Sequence, residues 1–424
     1  MLTRRKSAAA AGTLTLLACA VAGFPAASAH ATTAQSVAQE VRGLDLTQLG
    51  QIEVPAAWQL SKGAGVTVGV LDTGADATDP DLTGSVTTGP DYTAGADPAG
   101  YQPPYLHGTY ISSLIAGHGS GPGDSEGMLG VAPDAKVLSV RVILDDSEPG
   151  LSVFESSPRY QNSVADGIDY AVNHGVRVIN MSLGSTSPIR SLRTAIAYAV
   201  AHGVVVIASA GNSGSAGSAY TPYDYPASFT GVIAVAAVNT NGTRASFSDD
   251  NASVVLSAPG VNVVGAGPGG EYIEADGTSP AAAFVSGVAA LIRSKYPSLS
   301  PALVEQALVT STTHRPAGGY SPSVGFGEVD ASAALAAAAK LAVTPTQAGL
   351  AATARLSSGT VPAIQVTHRD QARIRGYGAA AGVAALGFLV ALILLITWAV
   401  RAARDRREAR YGGSAPGDAP YPYP

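Results

Sequence analysis

Gly65-Val66-Thr67-Val68-Gly69-Val70-Leu71-Asp72-Thr73-Gly74 is an apolar, β-branched run that stops on an acidic turn. Gly65 to Leu71 has the length and composition of a buried strand. Lys136 to Ile143, Val176 to Met181 and Val204 to Ala208 repeat the pattern, each ending at a turn. Helical patterns lie between or beside them at Gly108 to Ala116, Ser163 to Asn173 and Ile189 to His202. Near-continuous apolar strands separated by helices predict an α/β fold, a mostly parallel sheet covered by helices on both faces. Such sheets place their sites at the carboxyl ends of strands, where Asp72 falls.

Two further strings follow in order, His107-Gly108-Thr109 and Gly277-Thr278-Ser279-Pro280-Ala281-Ala282. Singly, each has an ordinary reading. Asp-Thr-Gly can be a strand-end turn, a lone His can be structural, and Gly-Thr-Ser can cap an Ala-rich helix. Together they supply a hydroxyl nucleophile, an imidazole base and a carboxylate to orient it. The order Asp, His, Ser is one of three chain orders known to build that geometry. On these strings the chain resembles the subtilisin-like serine proteases, the subtilases, from about Val54 to Leu335.

The resemblance implies a three-layer subtilisin-like fold and assigns roles residue by residue. Ser279 is the nucleophile at the start of an apolar helix running to Lys295, where the helix dipole favours developing negative charge. His107 is its base and Asp72 orients His107. Asn212, in Ala208-Ser209-Ala210-Gly211-Asn212, matches the Asn that donates to the oxyanion; its other reading is turn chemistry. Ser182-Leu183-Gly184 matches the backbone strip that pairs with an extended polypeptide substrate. Asp224, in Asp224-Tyr225-Pro226, stands where many relatives have Gly at the base of the first specificity pocket. A carboxylate there favours Lys or Arg at the cleaved position, while a solvent-facing loop Asp is the alternative.

Two positions depart from the family pattern or leave it open. Relatives read Gly-Thr-Ser-x-Ala-x-Pro, but Ala283 occupies the place of that Pro and Pro280 follows Ser279 directly. Pro is tolerated in a first helical turn, so the shift keeps the helix but is expected to re-aim Ser279 slightly. Asp81, in Asp79-Pro80-Asp81-Leu82, resembles a calcium-binding position of some relatives. Its other ligands are not evident, and a surface turn is the competing reading. No cofactor and no other metal are expected. Gly325-Phe326-Gly327-Glu328-Val329-Asp330 followed by an Ala-rich helix resembles the closing segment of subtilases, so the catalytic domain is expected to span 54–340.

Both ends carry membrane signals. Arg4, Arg5 and Lys6 precede an apolar stretch from Ala8 to Phe24, and Ala27-Ser28-Ala29 offers a cleavage site, so residues 1–29 read as a signal peptide. Leu16-Leu17-Ala18-Cys19 is a rival lipoprotein box around the chain's single cysteine, which excludes any intramolecular disulfide. Residues 30–53 form a short polar extension, too short for a folding-assistant prodomain. Either the enzyme folds unassisted or this short segment wraps its surface. Residues 341–378 read as a Pro-containing tether. Ala379 to Val400 is uncharged and long enough to cross a bilayer core of about 30 Å. Trp398 and five following arginines put residues 401–424 in the cytoplasm and the catalytic domain outside, a single-pass type I cell-membrane protein.

The chain has 424 residues and a net charge of −6. With +3 on the signal region and +2 on the tail, the stretch between them carries −11. That acidic exterior argues against a nucleic-acid partner. The layout resembles the mycosins, membrane-anchored subtilases of type VII secretion, which implies a secretion-machinery membrane complex as partner. Mycosins usually carry cysteine pairs and this chain has none, so a generic anchored subtilase fits as well. A second class stays open: a non-enzymatic structural or binding subunit that keeps the fold.

Overall fold

A computed structural model describes residues 34–215, 221–343 and 371–411. The signal peptide with Cys19, most of the tether and the tail beyond residue 411 lie outside the described residues. The chain divides into two units, Met1–Thr346 and Gln347–Pro424.

The first unit is built on a seven-stranded, all-parallel sheet. Its strands are β1 (Thr67–Asp72), β2 (Val86–Asp91), β3 (Lys136–Arg141), β4 (Val178–Met181), β5 (Val205–Ser209), β6 (Val232–Val238) and β7 (Val254–Pro259), in the spatial order β2-β3-β1-β4-β5-β6-β7. Register fixes which residues share a face: Val68 pairs with Val137 on one side and Val178 on the other, and Ile207 with Ile233. The order reverses direction at β1. Crevices open at such a reversal, beyond the carboxyl ends of the strands.

Each face carries its own core. Val68, Val70, Val178, Val205 and Ile207 pack on α2 (Leu106–Ala116) and α5 (Thr278–Lys295). Leu71, Ile179 and Val206 point to the opposite face, against α3 (Ser163–Asn173) and α4 (Arg190–Ala201). The alternation of side chains along a strand produces this split. The helix α5 is buried along nearly its whole length, which explains its Ala- and Val-rich sequence. Its continuity from Thr278 to Lys295 shows that Ala283, fully buried, fits a helix with no Pro at that turn.

The polar extension lies on the surface of the catalytic unit, packed there as a helix. Ala34–Gln51 folds as a helix, α1, whose buried side is the stripe Ala38, Val41, Asp45 and Leu49, continued by Ile52. Those spacings of three and four are helical, but an aspartate in mid-stripe breaks the apolar pattern. On the same helix, Arg42 donates to the carbonyls of Asp124, Glu126 and Gly127 at 3.1, 2.5 and 2.8 Å. Asp45 Oδ2 accepts the Leu129 N–H at 2.8 Å. The closing helix, Ala331–Val343, returns to this seam, where the Ala331 N–H bonds Ile52 O at 2.9 Å.

In the second unit, Gln371–Tyr411 is one helix. Its Ala385–Arg404 stretch has a mean hydropathy of 2.2 with no part buried, and is long and apolar enough to cross a membrane. That fits a single-pass anchor.

Candidate active site

Asp72 is the last residue of β1, one place beyond the apolar run, and is wholly buried. Its Oδ1 lies 2.7 Å from His107 Nδ1 and accepts the Thr73 N–H at 2.7 Å. A carboxylate only accepts, so Nδ1 carries the ring proton and Nε2 is left as the basic nitrogen. The His107 side chain is 31% exposed, so the imidazole borders solvent while its partner does not.

The local sequences explain the contact. His107 sits in the first turn of α2, and the Gly108 N–H donates to Thr73 Oγ1 at 3.0 Å. A Cβ on Gly108 would meet Gly74 O at 1.9 Å, so only glycine lets the helix start touch the strand-end turn. Thr109 completes the joint by accepting the Asp76 N–H at 2.9 Å. The strings Asp-Thr-Gly and His-Gly-Thr are two halves of one packed corner.

Ser279 lies in the first turn of α5, which packs against α2. Its Oγ donates to Ser182 O at 3.4 Å, and Ser182 Oγ donates to Ser279 O at 3.0 Å. Asn180 Nδ2 donates to Ser182 Oγ, and Ser286 Oγ donates to Asn180 Oδ1, so a buried polar chain ties β4 to α5. Asn212 follows β5. Its Oδ1 accepts both the N–H and the hydroxyl of Thr278, each at 2.9 Å. Those two donors fix the amide orientation and leave Nδ2 as the donor on the side of Gly277. Thr278 Oγ1 also accepts the Gly211 N–H at 3.2 Å. Thr278, in sequence only one residue of the nucleophile string, orients the amide beside it through its hydroxyl.

The strip Ser182-Leu183-Gly184 leaves β4 at the same edge of the sheet. Asp224 meets it there, with its Oδ2 3.1 Å from where a Cβ on Gly184 would stand. The next residue, Tyr225, exchanges two backbone bonds with Ser185, at 2.8 and 2.9 Å. Asp224 is therefore no solvent-facing loop residue: it is half-buried, and burial raises its carboxyl above the usual range. An apolar pocket lined by Phe154, Tyr160, Leu183, Leu192 and Tyr225 adjoins the strip. Composition and spacing did not mark it, because its walls come from distant segments.

Asp81 is not a surface turn. It is 1% exposed, and its Oδ2 accepts the Met128 N–H at 2.8 Å, pinning the loop that Arg42 also holds. Burial, helped by the Asp81 charge, pushes neighbouring Asp79 up to about 6. Among the described residues no three His, Cys, Asp or Glu side chains group as metal ligands.

The subtilase family model, peptidase S8, matches residues 63–327. The chain belongs to the subtilase family. This subtilase is 39% identical over 257 residues to subtilisin DY of Bacillus licheniformis, covering 60% of this chain and 85% of that one. It is also 39% identical over 256 residues to a thermostable alkaline protease of Halalkalibacterium halodurans, covering 59% of this chain. Here it spans 63% of the relative's length. Among solved structures it resembles MycP1 of Mycobacterium smegmatis, with a TM-score of 0.59 and 29% identity over 68% of this chain and 83% of that one. It also resembles the MycP3 protease from the type VII (ESX-3) secretion system, at 0.57 and 31% over 69% and 89%. Mycosins are thus among its structural neighbours.

Proposed function

We propose that this subtilase is a membrane-anchored serine endopeptidase acting outside the cell. The observation that carries the reading is the 2.7 Å pair of His107 Nδ1 and buried Asp72 at the carboxyl edge of the sheet, on a helix packed against the one that starts with Ser279. In this mechanism Ser279 Oγ attacks the scissile carbonyl carbon while His107 Nε2 takes its proton. Asp72 holds the imidazole in one tautomer and stabilises the imidazolium. Asn212 Nδ2 and the Ser279 N–H, one of the unpaired amides of the helix start, donate to the oxyanion. The imidazolium returns its proton to the leaving amine, which departs as the C–N bond breaks. A water, deprotonated by His107, then hydrolyses the Ser279 ester.

The substrate is an extended peptide paired with the backbone of Ser182, Leu183 and Gly184. Leu183 also lines the adjoining apolar pocket, which suits an apolar side chain of the bound peptide. Asp224, next to Gly184, favours a basic residue at the cleaved position. The apolar stretch Ala385–Arg404 and the arginines around its end anchor the protein with the catalytic unit outside. The mycosin neighbours support work beside a type VII-like secretion complex.

The test is a fluorophosphonate probe on the full-length protein in detergent micelles. Labelling that Ser279→Ala abolishes supports the enzyme. Intact, folded protein that the probe leaves unlabelled points instead to a subunit that keeps the fold without turnover.

A further inference from the structure

Gly184 and Gly211 face one carboxylate, because the Cβ positions they lack lie against the same oxygen. Asp224 Oδ2 is 3.1 Å from a Cβ on Gly184 and 2.5 Å from one on Gly211. A second carboxylate reaches the same place: Asp249 Oδ2 stands 2.4 Å from the Gly211 Cβ position. Gly211 has a φ of +113°, so the backbone and both acids demand glycine there.

Asp249 is 1% exposed. Its Oδ1 accepts the Ser213 N–H at 2.7 Å, and its own N–H donates to Gly211 O at 3.0 Å, so it is braced beside Asn212. Its Oδ2, the oxygen that faces Gly211, is buried without a hydrogen-bond partner. A buried acceptor with no donor is costly, and a site built around one takes its donor from a ligand. The nearby cation, Arg244, donates to Ser248 O and stands 3.8 Å from Asp250, so other oxygens already engage it.

We propose that Asp249 is a second specificity-determining carboxylate, which together with Asp224 receives the ammonium or guanidinium of a Lys or Arg side chain at the cleaved position, entering across Gly211. This rests on the reading of Asp224 as the base of that pocket. Burial, the largest cause, and the Asp224 charge push Asp249 up to about 7, against the Ser213 and Gly214 N–H groups and Arg244, which pull it down. Burial raises Asp224 as well. Near neutrality the pair therefore holds a proton that an entering cation displaces, and preference for basic residues climbs as pH rises through that range.

The experiment uses full-length protein in detergent micelles and peptides differing only in Arg, Lys or Leu at the cleaved position. The readout is the ratio of kcat/KM for Arg or Lys to that for Leu, in which His107 protonation cancels. The wild-type ratio exceeds one and rises from about pH 6 to about pH 8. Asp249→Asn keeps an acceptor for the Ser213 N–H, yet lowers the ratio about tenfold and flattens its pH profile. Asp249→Ser does the same if the first variant folds poorly, with fluorophosphonate labelling of Ser279 reporting the fold. A wild-type ratio that is flat with pH, or Asp249 variants that keep it while Asp224→Asn abolishes it, overturns the role of Asp249 and leaves that of Asp224. A wild-type ratio of one overturns both. Failure to cleave any peptide overturns the protease reading and this one with it.

Discussion

Asp72 and Asp45 are both wholly buried aspartates, each with one oxygen that takes a backbone N–H and one that has no partner. They differ in what else reaches them. Asp72 ends a strand and has an imidazole nitrogen 2.7 Å away. Asp45 lies mid-helix, and Arg42, one turn before it, sends its guanidinium to the carbonyls of Asp124, Glu126 and Gly127 instead. Burial accordingly pushes Asp45 up to about 8, with the Leu129 N–H and Arg42 only partly opposing it. Being buried does not make a carboxylate useful for catalysis; the donors around it decide which charge it carries. In the proposed mechanism Asp72 stabilises an imidazolium, whereas burial favours the neutral acid of Asp45.

The largest expected effect tests the Asp72 half of that contrast. Asp72→Asn keeps the shape but offers Nδ1 of His107 an amide in place of a carboxylate, so the imidazole loses its fixed tautomer. By the behaviour of triads of this kind, kcat should fall about 10⁴-fold with little change in KM. Steady-state kinetics on one peptide substrate checks it. A fall of less than about tenfold would mean that Asp72 only braces the corner it shares with Thr73 and Gly108.

Asn212 lies between these extremes, a partly exposed amide that in the proposed mechanism donates rather than holds charge. Asn212→Asp preserves the acceptor for Thr278 and removes the Nδ2 donor. In a subtilisin, a relative of this chain, loss of such a donor costs about 10²–10³ in kcat. A similar fall with fluorophosphonate labelling retained is the expected outcome. An equal rise in KM instead would assign Asn212 to ground-state binding.

The two aspartates also differ in how far the sequence announced them. Asp72 closes a run of buried strand residues and is followed by the glycine turn that His107-Gly108-Thr109 packs on, so local pattern and site coincide. The strands β1, β3, β4 and β5 were legible because both their faces are covered and they are rich in Val and Ile. Three others were not. The edge strand β2 reads Val-Thr-Thr-Gly-Pro-Asp and faces solvent in part, while Ala-rich β6 and the β7 run ending in Ala258-Pro259 suit no single period. Asp45 hid α1 by interrupting its stripe. Asp249 was invisible for a different reason: it sits in the loop Ser248-Asp249-Asp250-Asn251, where acidic residues are commonplace, and only the approach to Gly211 sets it apart.

The smallest effect is the sharpest test of Asp45. A carboxyl whose folded value stands near 8, against 3.8 in the open chain, binds its proton more tightly in the folded state. Its contribution to stability is therefore full below about pH 4 and is lost as pH rises through 8. Asp45→Asn keeps an oxygen for the Leu129 N–H and cannot ionise, so the variant escapes that loss. Thermal melts at about pH 4.5 should give similar Tm values for variant and wild type, and at about pH 8.5 the variant should melt several degrees higher. Asp79, Glu148 and Asp249 are raised too, but they are common to both proteins and drop out of the difference. A variant that melts lower at both pH values would show that Asp45 is ionised in the fold and paired with Arg42. The imidazole beside Asp72 would then be what separates the two buried aspartates.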